Sequence, residues 1–239
     1  MKNKLDSSFF SFIKTSLKVV ILFAAITSIV VVIYRFLPVT YSAYMNDVSN
    51  ETFMDIISLP EIDREWVSYK NISSQIKIAV IASEDQMFID HMGFDLKQIE
   101  IAWDQIQRGR RMRGASTISQ QVAKNLFLWN TKSFVRKGLE AYYTVLIELL
   151  WSKKRILEVY LNIAEFGKNT FGAEAAAKKY FKKPAIKLRA GEAAIMAAVL
   201  PNPIRMKVNA PSAYVLRRQA RILKQMSNIG GIGLLKQIE

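Results

Sequence analysis

The 239-residue sequence contains no cysteine and only one histidine, His91. The absence of cysteine excludes disulfide bonds, thiolate metal sites and a cysteine nucleophile. A single histidine leaves no second imidazole for a zinc site, so the simplest interpretation of His91 is a hydrogen-bonded structural side chain. The sequence also lacks low-complexity tracts, long Gly/Ser linkers and repeats of fixed period. Its length and 51% hydrophobic composition favour one main packed domain with an additional segment.

The net charge of +14 is unevenly distributed along the chain. Residues 38–100 contain eleven acids and four bases, whereas residues 101–139 contain eight bases and one acid. A basic surface concentrated in this way favours an anionic partner, such as nucleic acid, a phospholipid headgroup or a phosphorylated substrate.

An apolar segment near the N-terminus, residues 17–37 (LKVVILFAAITSIVVVIYRFL), is predicted to form a transmembrane helix. Val19 to Tyr34 carry no charge, and a helix of this length would be roughly 30 Å long, enough to span a bilayer. The alternatives are a buried core helix and a cleaved signal peptide, whose apolar region is usually only about 7–15 residues long. Because lysines at positions 2, 4, 14 and 18 lie on the N-terminal side of this uncharged core, the positive-inside rule predicts a cytoplasmic N-terminus, with the residues after Pro38 outside.

Helical spacing dominates the rest of the chain, which is predicted to be mostly α-helical. Two Ala-rich runs, AEAAAKKYF and GEAAIMAAVL, predict two further helices, the second of which should end before the PNP at 201–203. Three apolar stripes recur at helical spacing, and we expect them to pack inward as core. The stripes are Ile99, Ala102, Trp103 and Ile106; Leu139, Tyr142, Tyr143, Leu146, Leu149 and Leu150; and Ile156, Leu157, Tyr160, Leu161 and Ala164.

The segment RGRRMRGASTISQQVAKNLFL, residues 108–128, combines a basic run with a predicted helix start. Thr117 and Gln120 have the spacing of a capping box, so a helix should begin near Thr117, behind Gly114. Its free N–H groups and partial positive charge would form an anion site. Gln120, Gln121 and Lys124 should share one face. A solvated basic loop is the alternative, but the cap and the shared face favour a site for a group as charged as pyrophosphate. The flanking bases are Arg108, Arg110, Arg111 and Arg113 before the helix and Lys132, Arg136 and Lys137 after it.

Acidic residues occur in two further segments. In RKGLEAYYTVLIE, residues 136–148, Glu140 and Glu148 fall on the polar side of a helix, where acids are more often solvated than functional. In IASEDQMFIDHMGFD, residues 81–95, Glu84 and Asp85 are adjacent, and adjacent helical residues point about 100° apart. The two acids are therefore a poor chelating pair. Glu84 alone, at a partly buried helix end, is a candidate proton acceptor.

Five segments resemble, in order, the five motifs of the family 51 peptidoglycan glycosyltransferases. They are EDQMFIDHMGFD at 84–95, GASTISQQVAKNLFL at 114–128, RKGLEAYYTVLIE at 136–148, KKRILEVYLNIAEFG at 153–167 and GEAAIMAAVLPNP at 191–203. The resemblance covers nearly the whole region after the apolar segment. It implies an all-α, lysozyme-like fold with a cleft between a larger lobe and a small, membrane-associated lobe. It also implies four parts: a cytoplasmic tail (1–16), a transmembrane helix (17–37), a stalk (38–70) and the glycosyltransferase domain (71–239).

The resemblance further implies the reaction and the location of the protein. Members of this family polymerise lipid II, the undecaprenyl-pyrophosphate-linked disaccharide-pentapeptide, into β-1,4-linked glycan strands. The growing strand is the donor, a new lipid II is the acceptor, the anomeric centre inverts and undecaprenyl pyrophosphate leaves. A monofunctional member with one anchor is expected in the cell inner membrane, with its catalytic domain in the periplasm.

Roles for individual residues follow from the matching motifs. The resemblance implies that Glu84 is the general base, with Asp85 and His91 in supporting roles, and that Glu140 is the second acid of the cleft. Residues that would hold the donor's sugar and pyrophosphate are Ser116, Gln120, Gln121, Lys124, Lys132 and Arg136. The family often has arginine where this chain has Lys132. An ammonium, unlike a guanidinium, cannot form two parallel hydrogen bonds to a phosphate.

The expected partners are lipid II, the growing glycan strand, the membrane, and cell-wall synthesis or division proteins. Nucleic acid is not expected, because the basic segment should lie outside the cytoplasmic membrane. The motifs require no cofactor, although the substrate pyrophosphate could recruit a divalent cation such as Mg²⁺. Two alternative functions are glycan cleavage by a lytic transglycosylase or lysozyme, and a membrane-tethered cell-wall scaffold.

Overall fold

The computed structural model describes residues 2–39, 42–45, 62–109, 116–131 and 133–238, with side chains from Ser11 onward. The chain divides into two compact units, Met1–Leu37 and Pro38–Glu239. The first unit is one helix, α1 (Lys2–Phe36). Its segment Ser11–Phe36 is long and apolar enough to cross a membrane, which is consistent with a single-pass anchor.

The second unit is built mainly from helices. They are α2 (Ser74–Glu84), α3 (Leu96–Gln107), α4 (Ile118–Phe127), α5 (Phe134–Leu150), α6 (Lys153–Ile163), α7 (Ala173–Phe181), α8 (Ala190–Val199) and α9 (Ala213–Asn228), with 3₁₀ helices at Tyr69–Asn71, Ala185–Lys187 and Gly231–Gln237. Three short strands, β1 (Asp63–Arg64), β2 (Glu165–Gly167) and β3 (Thr170–Phe171), form a sheet of order β1-β3-β2. β1 is parallel to β3, and β2 is antiparallel to it. Part of the predicted stalk, 38–70, therefore pairs with the domain, and much of the remainder lies outside the described residues.

Side-chain caps fix where most of these helices begin. Six N-cap residues accept a hydrogen bond from a backbone N–H of the first turn: Ser73, Asp95, Thr117, Ser133, Ser152 and Ser212. Each cap satisfies a donor that the helix itself leaves unpaired. The capping box predicted at Thr117 and Gln120 is confirmed.

Two groups of helices carry the core. α2 packs against α8 and α9, while α4 packs against α5 and α6. The alanines of α8 allow close approach, and residues from Ala193 to Val199 are buried. All five residues of the third predicted stripe, on α6 and just after it, are buried, so that prediction is confirmed.

The other two predicted stripes are not core, and those predictions are wrong. On α3, Ile99, Trp103 and Ile106 are 42%, 63% and 47% exposed, and only Ala102 is buried. On α5, the polar face packs inward against α4, and Leu149 on the apolar face is 68% exposed. Periodicity identifies an apolar face but does not say whether protein covers it.

Gly93 lies where the loop between α2 and α3 packs closely against α5. Gly93 has φ +85°, a conformation that side chains disfavour. A Cβ there would come within 2.6 Å of Thr144 Cγ2 and 3.0 Å of Glu148 Cγ on α5. The loop that follows Glu84 therefore lies directly against the polar face of α5.

We expect Gly93→Ala to lower the free energy of unfolding by about 2–4 kcal/mol, because it adds overpacking to left-handed strain. Gly230→Ala is the matched control, since Gly230 has φ +95° but no atom within 4 Å of its Cβ position. That variant should lose only about 1 kcal/mol. Denaturant titration of the detergent-solubilised chain measures both losses, and equal losses would contradict the packing argument.

Candidate active site

Glu84 is the last residue of α2, and its carboxylate faces hydrogen-bond donors. Gln121 Nε2 donates to Oε2 over 3.2 Å, and Ser83 Oγ donates to Oε1 over 3.0 Å. Arg218 Nη2 lies 3.5 Å from the same Oε1, and the Glu84 side chain is 14% exposed. The carboxylate is thus held in one orientation by three neighbours and still reaches solvent.

Asp85 points in a different direction from Glu84. Its Oδ1 lies 2.9 Å from His91 Nε2, and its Oδ2 accepts from the Ile118 backbone N–H over 2.9 Å. His91 Nδ1 accepts from the Gly93 N–H over 3.1 Å, so the network assigns the imidazole proton to Nε2, which donates to Asp85. The prediction that the two acids do not share one target is confirmed.

The N-terminus of α4 is occupied by the protein's own groups. Asp85 accepts from the Ile118 N–H, and Thr117 Oγ1 accepts from the Gln120 N–H over 3.2 Å. Thr117, Ile118 and Ser119 are buried. The prediction that these N–H groups bind an external anion is therefore wrong, because a carboxylate of the chain already neutralises this end of the helix.

Gln120 and Ser116, two predicted substrate-binding residues, flank this cap. Gln120 is 5% exposed, and its Oε1 accepts from the Thr117 N–H over 3.0 Å, so its side chain serves the capping box. It does not share the open face of Gln121 and Lys124. Ser116 is exposed just before the cap.

Gln121 and Lys124 lie one turn apart on α4. Gln121 contacts the Glu84 carboxylate, and Lys124 lies near the charged residues of α5. Gln121 Oε1 accepts from Tyr160 Oη over 3.1 Å, while its amide group donates to Glu84. The pKa of Tyr160 is raised well above its usual value, by burial first and then by the nearby Glu84 and Asp85. The tyrosine therefore remains a neutral donor that fixes the Gln121 amide.

Lys124 is a partly buried cation. Burial lowers the pKa of its ammonium, which the Glu140 carboxylate raises and the cations of Arg136 and Lys137 lower further. These three charged neighbours all lie on α5. The arrangement concentrates three positive charges around one acid.

Glu140 is the acid at the centre of this group, and it is buried rather than solvated. Arg136 Nη1 lies 2.9 Å from Glu140 Oε2, with the two side chains 12% and 4% exposed, and Lys137 Nζ binds the other oxygen. Arg136 Nε is buried without a hydrogen-bond partner among the described residues. Buried donors are normally paired, so this N–H is an exception among the donors beside Glu140.

Of the remaining predicted bases, the structure describes only Arg108. Arg108 forms an exposed ion pair with Asp104 of α3. Arg110, Arg111, Arg113 and Lys132 lie outside the described residues. Within the described part of the chain, the basic group beside Glu140 therefore consists of Lys124, Arg136 and Lys137.

Arg218 on α9 is a site residue that the sequence reasoning missed. Its Nη2 donates to Ser83 Oγ over 3.0 Å, and its Nε donates to the Ala198 carbonyl over 3.1 Å, which holds the guanidinium beside Glu84. It lies 135 positions after Ser83. Several arginines of α9 fit the same amphipathic pattern, so no local signal distinguishes this one.

The sequence model of the family described as Transglycosylase matches residues 50–227. The chain belongs to the transglycosylase family. The matched range contains all five quoted motifs, and the helical structure of this transglycosylase agrees with the all-α, lysozyme-like fold expected for the family.

Individual relatives of this transglycosylase are also similar over most of their length. The chain is 54% identical to the biosynthetic peptidoglycan transglycosylase of Pasteurella multocida (strain Pm70), over 84% of this chain and 81% of the relative. It is 52% identical to proteins of the same name from Pectobacterium carotovorum subsp. carotovorum (strain PC1), over 86% and 85%, and Yersinia pestis (strain Pestoides F), over 87% and 86%.

Among the residues that the structure describes, no three His, Cys, Asp or Glu side chains lie together as a metal site. Pyrophosphate oxygens are themselves suitable ligands for a divalent cation.

We expect Asp85→Asn to lower the free energy of unfolding by about 1–3 kcal/mol, because an amide has one acceptor oxygen for the two donors of Ile118 and His91. Asp95→Asn is the matched control, because Asp95 caps α3 by accepting only from the Gln98 N–H, and asparagine caps as well as aspartate. Denaturant titration of both variants tests this. A loss after Asp95→Asn as large as that after Asp85→Asn would rule out a special role for the Asp85 contacts.

Proposed function

We propose that this transglycosylase polymerises lipid II into β-1,4-linked glycan strands of peptidoglycan and releases undecaprenyl pyrophosphate. The observation that carries the proposal is the position of α4 between two chemical groups. Its Gln121 holds the Glu84 carboxylate, and one turn later its Lys124 approaches the Arg136–Glu140 pair. A proton acceptor and a phosphate-binding group are thus supported by one helix.

Glu84 acts as the general base in this proposal. The 4-hydroxyl oxygen of the acceptor attacks the anomeric carbon of the donor, and its proton passes to Glu84. The new C–O bond forms as the bond from the anomeric carbon to the pyrophosphate oxygen breaks, and the anomeric centre inverts. The donors around Glu84, including Arg218, keep the carboxylate oriented toward the opening of the site.

Lys124 and Arg136 stabilise the leaving pyrophosphate, on which negative charge develops in the transition state. The electrostatic influence of Arg136 and Lys137 on the Lys124 ammonium supports this role, because it groups three cations in one place. Glu140 keeps Arg136 and Lys137 in place and orients the acceptor. Gln121, Ser116 and Lys132 complete the donor site in this proposal, whereas Gln120 acts through the helix cap.

The outer surface of the domain has apolar side chains that suit a substrate held in a membrane. Large apolar side chains are exposed on α3 and α5: Leu96, Trp103, Phe134, Val135 and Leu149. Exposed apolar side chains grouped on one helix are typical of contact with a membrane or a partner. We propose that these helices contact the bilayer, that α1 anchors the chain in the inner membrane, and that the domain lies in the periplasm.

We expect Glu84→Gln to abolish polymerisation of purified lipid II by the detergent-solubilised chain, because an amide of the same shape cannot accept the proton. The matched control is Glu100→Gln, an exposed acid on α3, which should leave the rate within about twofold. Gel analysis of glycan products measures both. Substantial polymer from a folded Glu84→Gln protein would refute the assignment. Cleavage of finished glycan by the wild-type chain, without polymer from lipid II, would instead favour the lytic alternative.

The proposed orientation is tested by a topology reporter. Alkaline phosphatase, which is active only outside the cytoplasm, is fused after residue 50 in intact cells. High phosphatase activity is expected, because the lysines that precede the apolar segment favour a cytoplasmic N-terminus. Removing those lysines should lower the activity. A fusion active only as a cytoplasmic reporter, such as β-galactosidase, would contradict the orientation.

A further inference from the structure

Residues 42–45, which precede the residues matched by the family, lie against the domain. Ser42 and Met45 are buried, and Ser42 Oγ accepts from the Met45 N–H over 3.2 Å. The short segment is therefore fixed at both ends, and the side chain between them has a defined position.

Tyr44 connects this segment to two parts of the domain. Its Oη donates to Glu165 Oε2 over 3.1 Å, and its ring meets Phe171 edge to face at 6.1 Å between centroids. Lys124 Nζ lies 5.8 Å from the centroid of the same ring. The phenol group is thus anchored on β2 and β3, and its ring meets the α4 lysine.

The phenol group of Tyr44, which anchors the side chain, stays protonated over a wide pH range. Burial, reinforced by Glu165, raises the pKa of Tyr44 to about 12. Burial also raises the pKa of Glu165, whose other oxygen accepts from the Asn169 N–H over 3.3 Å. The phenol therefore remains a hydrogen-bond donor, and its ring keeps its orientation.

An aromatic ring suits Lys124 better than a second acid would. The charged groups that act on the Lys124 ammonium are Glu140, Arg136 and Lys137, all on α5. A carboxylate at the position of Tyr44 would attract the ammonium but repel a pyrophosphate. The ring attracts the cation through its quadrupole, carries no net charge and leaves the N–H groups of the lysine available to phosphate oxygens.

We infer that Tyr44 is a positioning residue for the reaction, which holds the Lys124 ammonium toward the leaving pyrophosphate. The inference rests on the proposed function, because it assigns Lys124 to that leaving group. It also assigns part of the active site to a segment that precedes the family's matched residues.

The test compares Tyr44→Phe, which keeps the ring, with Tyr44→Leu, which removes it, in the full-length detergent-solubilised chain. Lipid II polymerisation is measured as kcat and KM from neutral to alkaline pH. We expect Tyr44→Leu to raise KM about 3- to 10-fold, as loss of a partly desolvated cation–π contact implies. Tyr44→Phe keeps the ring but loses the hydrogen bond to Glu165, so its KM should rise less than that of Tyr44→Leu. If Tyr44→Leu does not fold, Tyr44→Met is used with the same expectation.

The pH profile separates positioning from general damage to the structure. Binding needs the charged lysine, so kcat/KM falls as pH rises through the pKa of Lys124. The ring stabilises the ammonium, and its loss lowers that pKa further; the alkaline fall should therefore move to lower pH in Tyr44→Leu but not in Tyr44→Phe. The charged neighbours on α5 are unchanged in both variants. An unshifted profile would overturn the inference.

A double-mutant cycle tests whether Tyr44 acts through Lys124. In a Lys124→Gln background, Tyr44→Leu should change KM by less than about twofold, because the cation it acts on is gone. The same 3- to 10-fold rise in both backgrounds would overturn the inference. Failure of the wild-type chain to polymerise lipid II would refute the proposed function itself, whereas loss of the Tyr44 effect in an active enzyme refutes only the positioning role.

Discussion

The carboxylate of Asp85 binds the N-terminus of α4, and the arrangement of the whole site depends on this contact. It joins the loop after α2 to the helix that carries Gln121 and Lys124. It also directs Asp85 away from the cleft, so that its neighbour Glu84 alone faces Gln121 and the opening. Because His91 donates to the same carboxylate and accepts from the Gly93 N–H, one buried acid fixes both the start of α4 and the course of the loop.

The polar face of α5 packs against this arrangement from the other side. Glu140 binds two cations, and Glu148 binds Lys153 over 2.7 Å and Ser119 of α4, so each buried acid has charged or hydroxyl partners. Removing one partner from such a pair leaves a buried charge, which is strongly unfavourable. The burial of these acids leaves the apolar face of α5 on the outside. A helix with its polar side inward suits a protein whose outer surface meets lipid, because lipid chains cover apolar side chains as well as a protein core does.

Local features of this fold could be predicted from the sequence, whereas contacts across the chain could not. The capping box at Thr117 depends on residues three positions apart, and the stripe on α6 depends on one helical face; both predictions hold. The predicted anion site at the start of α4 fails, because the sequence does not reveal that Asp85 reaches the Ile118 N–H. Arg218 and Tyr44 were missed for the same reason, since only the folded chain brings them to the site.

The site contains two kinds of group, a carboxylate that hydrogen bonds hold in one orientation and cations that can still bind a ligand. On the base side, the carboxylate of Glu84 is oriented by donors that are themselves fixed, as Tyr160 fixes Gln121. On the cation side, Arg136 Nε has no hydrogen-bond partner among the described residues, and Lys124 is influenced by the charges on α5 and by the ring of Tyr44. In the proposed reaction, a fixed proton acceptor thus acts together with a group of cations beside Glu140. Preorganised donors of this kind bind most strongly where negative charge develops, which in this reaction is the departing pyrophosphate.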